Sequence, residues 1–215
     1  RYYLNGMLLE LEGSKVNGVA TDGHRLAFSS AQSVSGGLEV RNILPRKAVL
    51  ELSKLLSTGE ETVDLMIGPS YVDVKCQNLS FSSKLIDGKY PDYDKVFPTG
   101  DPLPLEISKD LLQSALSRAS VLSNEKYRGV RFQLSKGKLK LTANNPEQES
   151  AEEVLDVVYE GVELEVGFNI GYLLDVLNSI ESETVHFEFY GEDSSCIIKE
   201  SGSEDDVYVI MPMRL

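Results

Sequence analysis

The fold of this 215-residue chain is decided by a stretch that reads GMLLEL at residues 6–11 and recurs as GVRFQL at residues 129–134. Later matches keep the same order and nearly the same spacing: VATD at 19–22 with TANN at 142–145, PRKAVLEL at 45–52 with NIGYLLDV at 169–176, and ETV at 61–63 with ETV at 183–185. The offset stays between 122 and 124 residues. Ordered matches at one spacing predict two copies of a single folding unit.

Each copy has the same order of predicted elements: a pair of alternating strands, a loop, a helix and further strands. This order is typical of an α+β unit rather than of parallel βαβ units. Apolar residues spaced three and four apart predict three helices, over residues 45–56, 108–122 and 172–180. Strict alternation of apolar and polar residues predicts strands, as at residues 72–74 and 185–189.

A connector rich in proline and glycine, residues 91–102, separates the two copies. The predicted domains are therefore 1–92 and 93–215. The helix predicted at 108–122 precedes the first strand pair of the second domain and has no counterpart in the first. By the repeat, that counterpart would precede Arg1, so we expect the sequence to be the C-terminal part of a longer protein.

The composition is that of a folded globular protein with an acidic surface. The chain carries 34 acidic and 21 basic side chains, its net charge is −13, and its pI is near 4.6. This balance excludes a generally basic nucleic-acid coat.

No apolar run approaches the roughly 18 residues of a membrane span and no signal peptide is recognisable, so we expect a soluble, cytoplasmic protein without a membrane partner. Cys76 and Cys196 lie far apart without metal-ligand spacing, and we predict neither a metal site nor a cofactor.

The usual catalytic motifs are missing from the sequence, which contains no phosphate-binding loop, dinucleotide-binding glycine motif or nucleophile elbow. His24 lies in ATDGHRLA, residues 20–27, between a glycine and an arginine. This segment fits a polar turn that joins two strands. It also fits a small hydrolase that would use His24 with Asp22 and a nearby serine.

A run of carboxylates allows three interpretations. Glu147, Glu149, Glu152 and Glu153 could form a metal or acid–base site, a solvated acidic edge, or a patch complementary to a basic partner. The first is disfavoured because no histidine or aspartate lies at ligand spacing. The residues themselves do not separate the other two.

Seven motifs that run the length of the chain read RYYLNGM (1–7), ATDGHRLA (20–27), ILPRK (43–47), DGKYPDY (87–93), LSNEKYRGVR (122–131), ANNPEQE (143–149) and MPMRL (211–215). Together they resemble the bacterial β sliding clamps, the processivity subunits of DNA polymerase III. The resemblance implies an α+β DNA-clamp fold with antiparallel sheets outside and helices on the DNA-facing side. It also implies a homodimeric ring with three repeated domains in each protomer. Residues 1–92 would be a second domain without its N-terminal helix, and residues 93–215 a complete third domain.

The resemblance further implies a binding protein without a catalytic site. In the family, a hydrophobic pocket between the second and third domains binds short peptide motifs of DNA polymerases, the clamp loader and repair proteins. Matching motifs carry this role to Arg1, Leu4, Thr21, Gly23, His24, Arg25, Leu26, Pro91, Val96, Tyr172, Ser195, Val209, Met211, Pro212, Met213 and Arg214. Two departures bear on peptide preference, since Lys95 stands where the family pattern has arginine and Asp193 where an apolar residue is common.

For duplex DNA, the matching motifs imply phosphate contacts by Arg46 and Lys47, with Tyr2 and Tyr3 on a nearby loop and no base readout. The edge that would join the first domain of the other protomer corresponds to Val121, Leu122, Glu147, Glu149, Glu152 and Glu153. Because no first domain is recognisable in the sequence, we expect this chain by itself to be a monomer.

Overall fold

The computed structural model describes residues 4–34, 39–56, 62–76 and 79–215. Close contacts divide the chain into two units. Unit 1 comprises Arg1–Asp22 and Ala27–Asp92, and unit 2 comprises Gly23–Leu26 and Tyr93–Leu215. The short segment Gly23–Leu26 therefore belongs to unit 2, although its neighbours along the chain on both sides belong to unit 1.

The first half of the chain contains seven strands and one helix among the residues that the structure describes: β1 Gly6–Glu12, β2 Lys15–Thr21, β3 Arg25–Gln32, β4 Val40–Pro45, α1 Arg46–Leu55, β5 Asp64–Ile67, β6 Tyr71–Cys76 and β7 Leu79–Lys84. Strands β1 to β4 pair in the order β4-β1-β2-β3, and the other three in the order β5-β6-β7. The pairs β1–β2, β1–β4, β5–β6 and β6–β7 are antiparallel. One core cluster of unit 1 contains the buried side chains of Leu9, Leu44, Val72 and Val74.

The second half contains a short 3-10 helix, two α-helices and eight strands: Tyr93–Val96, then β8 Leu103–Ser108, α2 Lys109–Ser120, β9 Gly129–Ser135, β10 Lys138–Asn144, β11 Ser150–Asp156, β12 Leu164–Asn169, α3 Ile170–Ser179, β13 Thr184–Phe189, β14 Cys196–Glu200 and β15 Asp206–Ile210. The strand orders are β15-β14-β13-β8 and β11-β10-β9-β12. Every pairing within these two orders is antiparallel.

Unit 2 is held together by one large apolar cluster to which both sheets and both α-helices contribute. Phe132 and Phe168 meet edge to face with their ring centroids 5.4 Å apart, a favoured arrangement for two buried aromatic rings. Leu112 and Leu173 of the two α-helices are fully buried in the same cluster. Burial of this much apolar surface is the main stabilising contribution to the unit.

The three predicted helices are confirmed, with ends that differ by one or two residues from the expected ones. Their starts follow from local chemistry. The side-chain oxygens of Ser108 and Asn169 accept hydrogen bonds from the backbone N–H groups of Leu111 and Tyr172, which caps α2 and α3. Pro45 stands at the N-cap of α1 with φ −59° and makes no side-chain cap. The α+β fold class is also confirmed.

Within the described part of the chain, no helix is long and apolar enough to cross a membrane.

Candidate functional site

Two side chains of helix α3 hold the side chain of Arg25. Its Nη1 lies 2.6 Å from Oδ2 of Asp175, and its Cζ lies 4.3 Å from the centroid of the Tyr172 ring. Tyr172 and Asp175 are three residues apart on α3 and therefore share one helix face. The guanidinium of Arg25 makes a charge-assisted hydrogen bond to Asp175 and a cation–π contact with Tyr172. Together, the two contacts hold the guanidinium against the face of the Tyr172 ring.

The backbone next to Arg25 is fixed as well. Gly23 has φ +92°, a conformation that other residues rarely adopt, and it turns the chain into β3. The carbonyl oxygen of His24 accepts a hydrogen bond from the backbone N–H of Met211, with N and O 3.0 Å apart. The side chain of His24 is exposed. The turn therefore presents His24 at the surface beside the segment that follows β15.

Residues 211–215 follow β15 without regular secondary structure, yet they are held in place. The N–H of Met213 donates to the carbonyl oxygen of Gly167 on β12, with N and O 2.8 Å apart. Met211, Pro212 and Met213 are half-buried, whereas Arg214 is exposed. A run of partly exposed methionine and proline thus lies next to the His24 turn.

The structure brings twelve of the sixteen predicted peptide-binding residues into unit 2: Gly23, His24, Arg25, Leu26, Val96, Tyr172, Ser195, Val209, Met211, Pro212, Met213 and Arg214. Direct contacts join four of them, Arg25 with Tyr172 and His24 with Met211. Leu26 and Val209 are only 2% and 0% exposed, so their side chains lie beneath the surface.

The other predicted peptide-binding residues have different positions. Leu4, Thr21 and Pro91 belong to unit 1 and are half-buried. Arg1 lies outside the described residues. Both departures from the family pattern, Lys95 and Asp193, are exposed in unit 2.

The predicted DNA-binding residues Arg46 and Lys47 are exposed and form the first turn of α1. This turn contains no acidic residue. Basic side chains at a helix N-terminus are electrostatically unfavourable, because the unpaired N–H groups there already carry partial positive charge. Such a concentration of positive potential suits an anion. Tyr2 and Tyr3 lie outside the described residues.

The acidic edge is largely paired within the chain. Arg118 donates two hydrogen bonds to Glu153, from Nε to Oε1 at 2.6 Å and from Nη2 to Oε2 at 2.8 Å. These hydrogen bonds lower the pKa of Glu153. Glu152 pairs with Lys140 at 2.7 Å, and Glu149 accepts a hydrogen bond from the Asn145 side chain at 2.6 Å.

The remaining residues predicted for the protomer interface differ in exposure. Val121 is 78% exposed, Glu147 is exposed and Leu122 is half-buried. No group of three or more histidine, cysteine or acidic side chains in the described ranges could hold a metal ion.

The known families match this chain in two consecutive parts. Residues 1–92 match the central domain of the DNA polymerase III beta subunit, and residues 94–214 match its C-terminal domain. The chain belongs to the DNA polymerase III beta subunit family.

Individual members of the beta subunit family are similar over the whole chain. Over 215 residues, this chain is 49% identical to the beta sliding clamp of Salmonella typhimurium and 48% identical to that of Escherichia coli K12. The aligned residues cover 59% of the length of each relative. A crystal structure of the Pseudomonas aeruginosa sliding clamp bound to griselimycin is 47% identical, with a TM-score of 0.96, and covers 100% of this chain and 58% of that one. The chain thus spans about three-fifths of the length of these relatives.

Asp175 belongs to the candidate site but is not identifiable from the sequence. Asp175 holds Arg25 in place, but the two residues are 150 positions apart and no motif links them. The sequence gives only one weak indication of this role. Asp175 lies one helical turn after Tyr172, so it shares a helix face with a predicted site residue.

Proposed function

We propose that this chain is a segment of a sliding clamp and that it captures the short clamp-binding peptides of DNA polymerases, the clamp loader and repair proteins. Residues 1–92 correspond in this proposal to most of the second clamp domain and residues 93–215 to the third. The observation that carries the proposal is the pair of contacts that fixes the His24 turn: Arg25 between Asp175 and Tyr172, and Met211 on the carbonyl of His24.

The side chains around that turn suit a peptide ligand. Met211, Pro212 and Met213 are half-buried and offer apolar contacts, while His24 and Arg25 add polar groups that can fix the direction of a peptide. Methionine is flexible and polarizable, so the same surface can accommodate partners of different sequence. A modest affinity suffices in a clamp, because partners tethered to a ring on DNA gain effective concentration at the primer end.

In the whole protein, we propose a homodimeric ring that encircles duplex DNA and acts as a processivity factor without a catalytic site of its own. Arg46 and Lys47 would contact phosphates, and a ring that slides needs no base readout. The edge with Val121 and Leu122 would join the first domain of the other protomer. The polypeptide of residues 1–215, tested alone, would run as a monomer.

The proposal is tested by fluorescence anisotropy of a labelled clamp-binding peptide from a polymerase C-terminus, titrated with the chain and with His24→Ala. His186→Ala is the matched control, because His186 is the only other histidine and lies on β13 beside Glu106 and Glu188. We expect saturable binding that is weakened by His24→Ala and unchanged by His186→Ala. Equal binding by all three proteins would reject the proposed site.

The same variants test the rival hydrolase hypothesis for His24 and Asp22. Hydrolysis of generic ester or phosphate substrates that disappears with His24→Ala would favour an enzyme. We expect no turnover by the parent chain.

A further inference from the structure

Two glycines on neighbouring strands leave a gap in the outer face of the second sheet of unit 2. Gly129 begins β9 and Gly167 lies on β12, where the register pairs Gly167 with Arg131 and Gly129 with Asn169. Both glycines alternate with core residues such as Phe132 and therefore face away from the core. A sheet surface without two side chains forms a slot.

Backbone conformation does not explain these glycines. Neither Gly129 nor Gly167 has a positive φ, so any residue could adopt the same backbone angles. Glycine in a strand weakens it, because it has no side chain to pack and loses more conformational freedom on folding. A close approach of another part of the chain is the remaining local reason for glycine in a strand.

Residues 213–215 are the part of the chain that approaches Gly129 and Gly167. A Cβ placed on Gly129 would lie 2.2 Å from Cδ2 of Leu215. One placed on Gly167 would lie 2.8 Å from the Leu215 side chain and 2.4 Å from the carbonyl oxygen of Met213. The Met213 carbonyl is backbone and cannot move aside cheaply, so its approach requires glycine at position 167. Leu215 packs against both glycines on one side, while 53% of its surface stays exposed.

We propose that Gly129 and Gly167 form an anchoring slot for Leu215 and thereby position Met211 and Met213 at the peptide-binding surface. This inference rests on the proposed function, since it assigns the slot a role in peptide capture. The three slot residues are positioning residues and need not touch the peptide.

The slot is connected to Met211 and Met213 by the short chain between them and Leu215 and by backbone hydrogen bonds. Leu215 is two residues from Met213, and Met213 donates its N–H to the same Gly167 that forms the slot. Met211 in turn holds the carbonyl of His24. Residues 211–215 have no regular secondary structure, so without the anchor they would regain conformational freedom that binding would have to remove again.

The test uses the methionines as reporters. The chain has four, Met7, Met66, Met211 and Met213, so a sample labelled with methyl-13C methionine gives four assignable methyl signals. In Gly167→Ala the new Cβ would meet backbone, and in Leu215→Ala the slot would be empty. We expect both changes to shift the Met211 and Met213 signals and to weaken peptide binding by about tenfold, the effect of losing one important contact.

Further variants separate positioning from general damage. Leu215→Ile should retain most of the affinity. Gly18→Ala on β2 is the matched glycine control, because its Cβ would meet Met7 at an ordinary 3.4 Å, and it should leave the Met211 and Met213 signals and the affinity unchanged. The nearest atoms to a Cβ on Gly129 all belong to Leu215, so Gly129→Ala combined with Leu215→Ala should bind no worse than Leu215→Ala alone.

The inference would be overturned by unchanged Met211 and Met213 signals in Gly167→Ala and Leu215→Ala, or by altered signals with an unaltered affinity. Failure of the proposed function looks different, because the parent chain would then bind no peptide. In that case the methyl signals would still show whether the slot positions the two methionines, and unchanged signals would reject the slot by themselves.

Discussion

Arg25 covers one face of Tyr172, with its Cζ 4.3 Å from the ring centroid, and this stacking is fixed from the side by Asp175, whose Oδ2 is 2.6 Å from Nη1. All three belong to unit 2, although Arg25 is separated from the other two by some 150 positions of chain. The contact ties the His24 turn to helix α3. Stability of this turn therefore depends on a carboxylate that has no direct part in the proposed peptide contact.

Asp175→Asn should weaken peptide binding by about two- to fivefold, because a partly exposed ion pair contributes roughly 0.4–1 kcal/mol. The loss should shrink as NaCl is raised, since salt screens the pair in the parent chain. Anisotropy titrations at several salt concentrations measure both effects. Asp101→Asn, an exposed aspartate of the connector, is the control and should have no effect. A salt-independent loss would contradict an electrostatic role for Asp175.

Lys47→Glu should stabilise α1 and weaken DNA binding at the same time. A carboxylate in the first helical turn interacts favourably with the unpaired N–H groups and should raise the free energy of unfolding by about 0.3–1 kcal/mol. The loss of a phosphate contact should lower the slope of log K against log salt by about 1. Urea unfolding measures the free energy of unfolding, and DNA titrations at several salt concentrations measure the slope.

Two controls accompany the Lys47 prediction. Lys54 is the basic residue of the last turn of α1, so Lys54→Glu should lower stability. Lys136→Glu changes the same charge on an exposed residue of unit 2 and should leave the salt slope unchanged. Equal effects of Lys47→Glu and Lys136→Glu on DNA binding would point to net charge rather than to the first turn of α1.

The pair between Arg118 and Glu153 predicts a pH dependence of stability. Hydrogen bonds from Arg118 lower the pKa of Glu153 in the folded chain. The pair therefore stabilises the fold above the unfolded-state pKa, and this contribution is lost as the pH falls through the folded-state pKa. Arg118→Gln should raise the pKa of Glu153 in a carboxyl 13C titration, whereas Lys140→Gln, which removes the partner of Glu152, should not. An unchanged pKa in Arg118→Gln would contradict the pairing.

Cys196 should be inert toward thiol reagents in the folded chain. Burial raises the pKa of its thiol to about 12, and the side chain is 1% exposed. Ellman's reagent at pH 8 should therefore not react with a Cys76→Ser variant until guanidinium unfolds it, because the thiolate is the reactive form. Rapid reaction in native buffer would show that β14 opens readily.

The fold was predictable from the sequence because its signals are local. Apolar spacing predicted the three helices, and Ser108 as a cap set the start of α2 within one residue. The repeat also places glycine at equivalent positions, Gly6 and Gly129. A Cβ on Gly6 would collide with Leu44 on β4, and a Cβ on Gly129 would collide with Leu215. The glycine recurs, but the group that approaches it differs.

The candidate site was predictable only through the resemblance. Nothing in the local sequence distinguishes His24 from the polar residue of an ordinary turn, because its proposed role depends on a hydrogen bond to Met211, nearly the whole chain away. The same holds for Asp175 and for the slot that Gly167 forms. Contacts between distant parts of a chain leave no periodic signal.

The most direct test of the central claim follows the methyl-13C signals of the four methionines while an unlabelled clamp-binding peptide is added. If the peptide binds beside the His24 turn, the signals of Met211 and Met213 should shift in a saturable way and that of Met66, on β5, should stay in place. Absence of any saturable change in Met211 and Met213, or an equal change in Met66, would contradict peptide capture at this site.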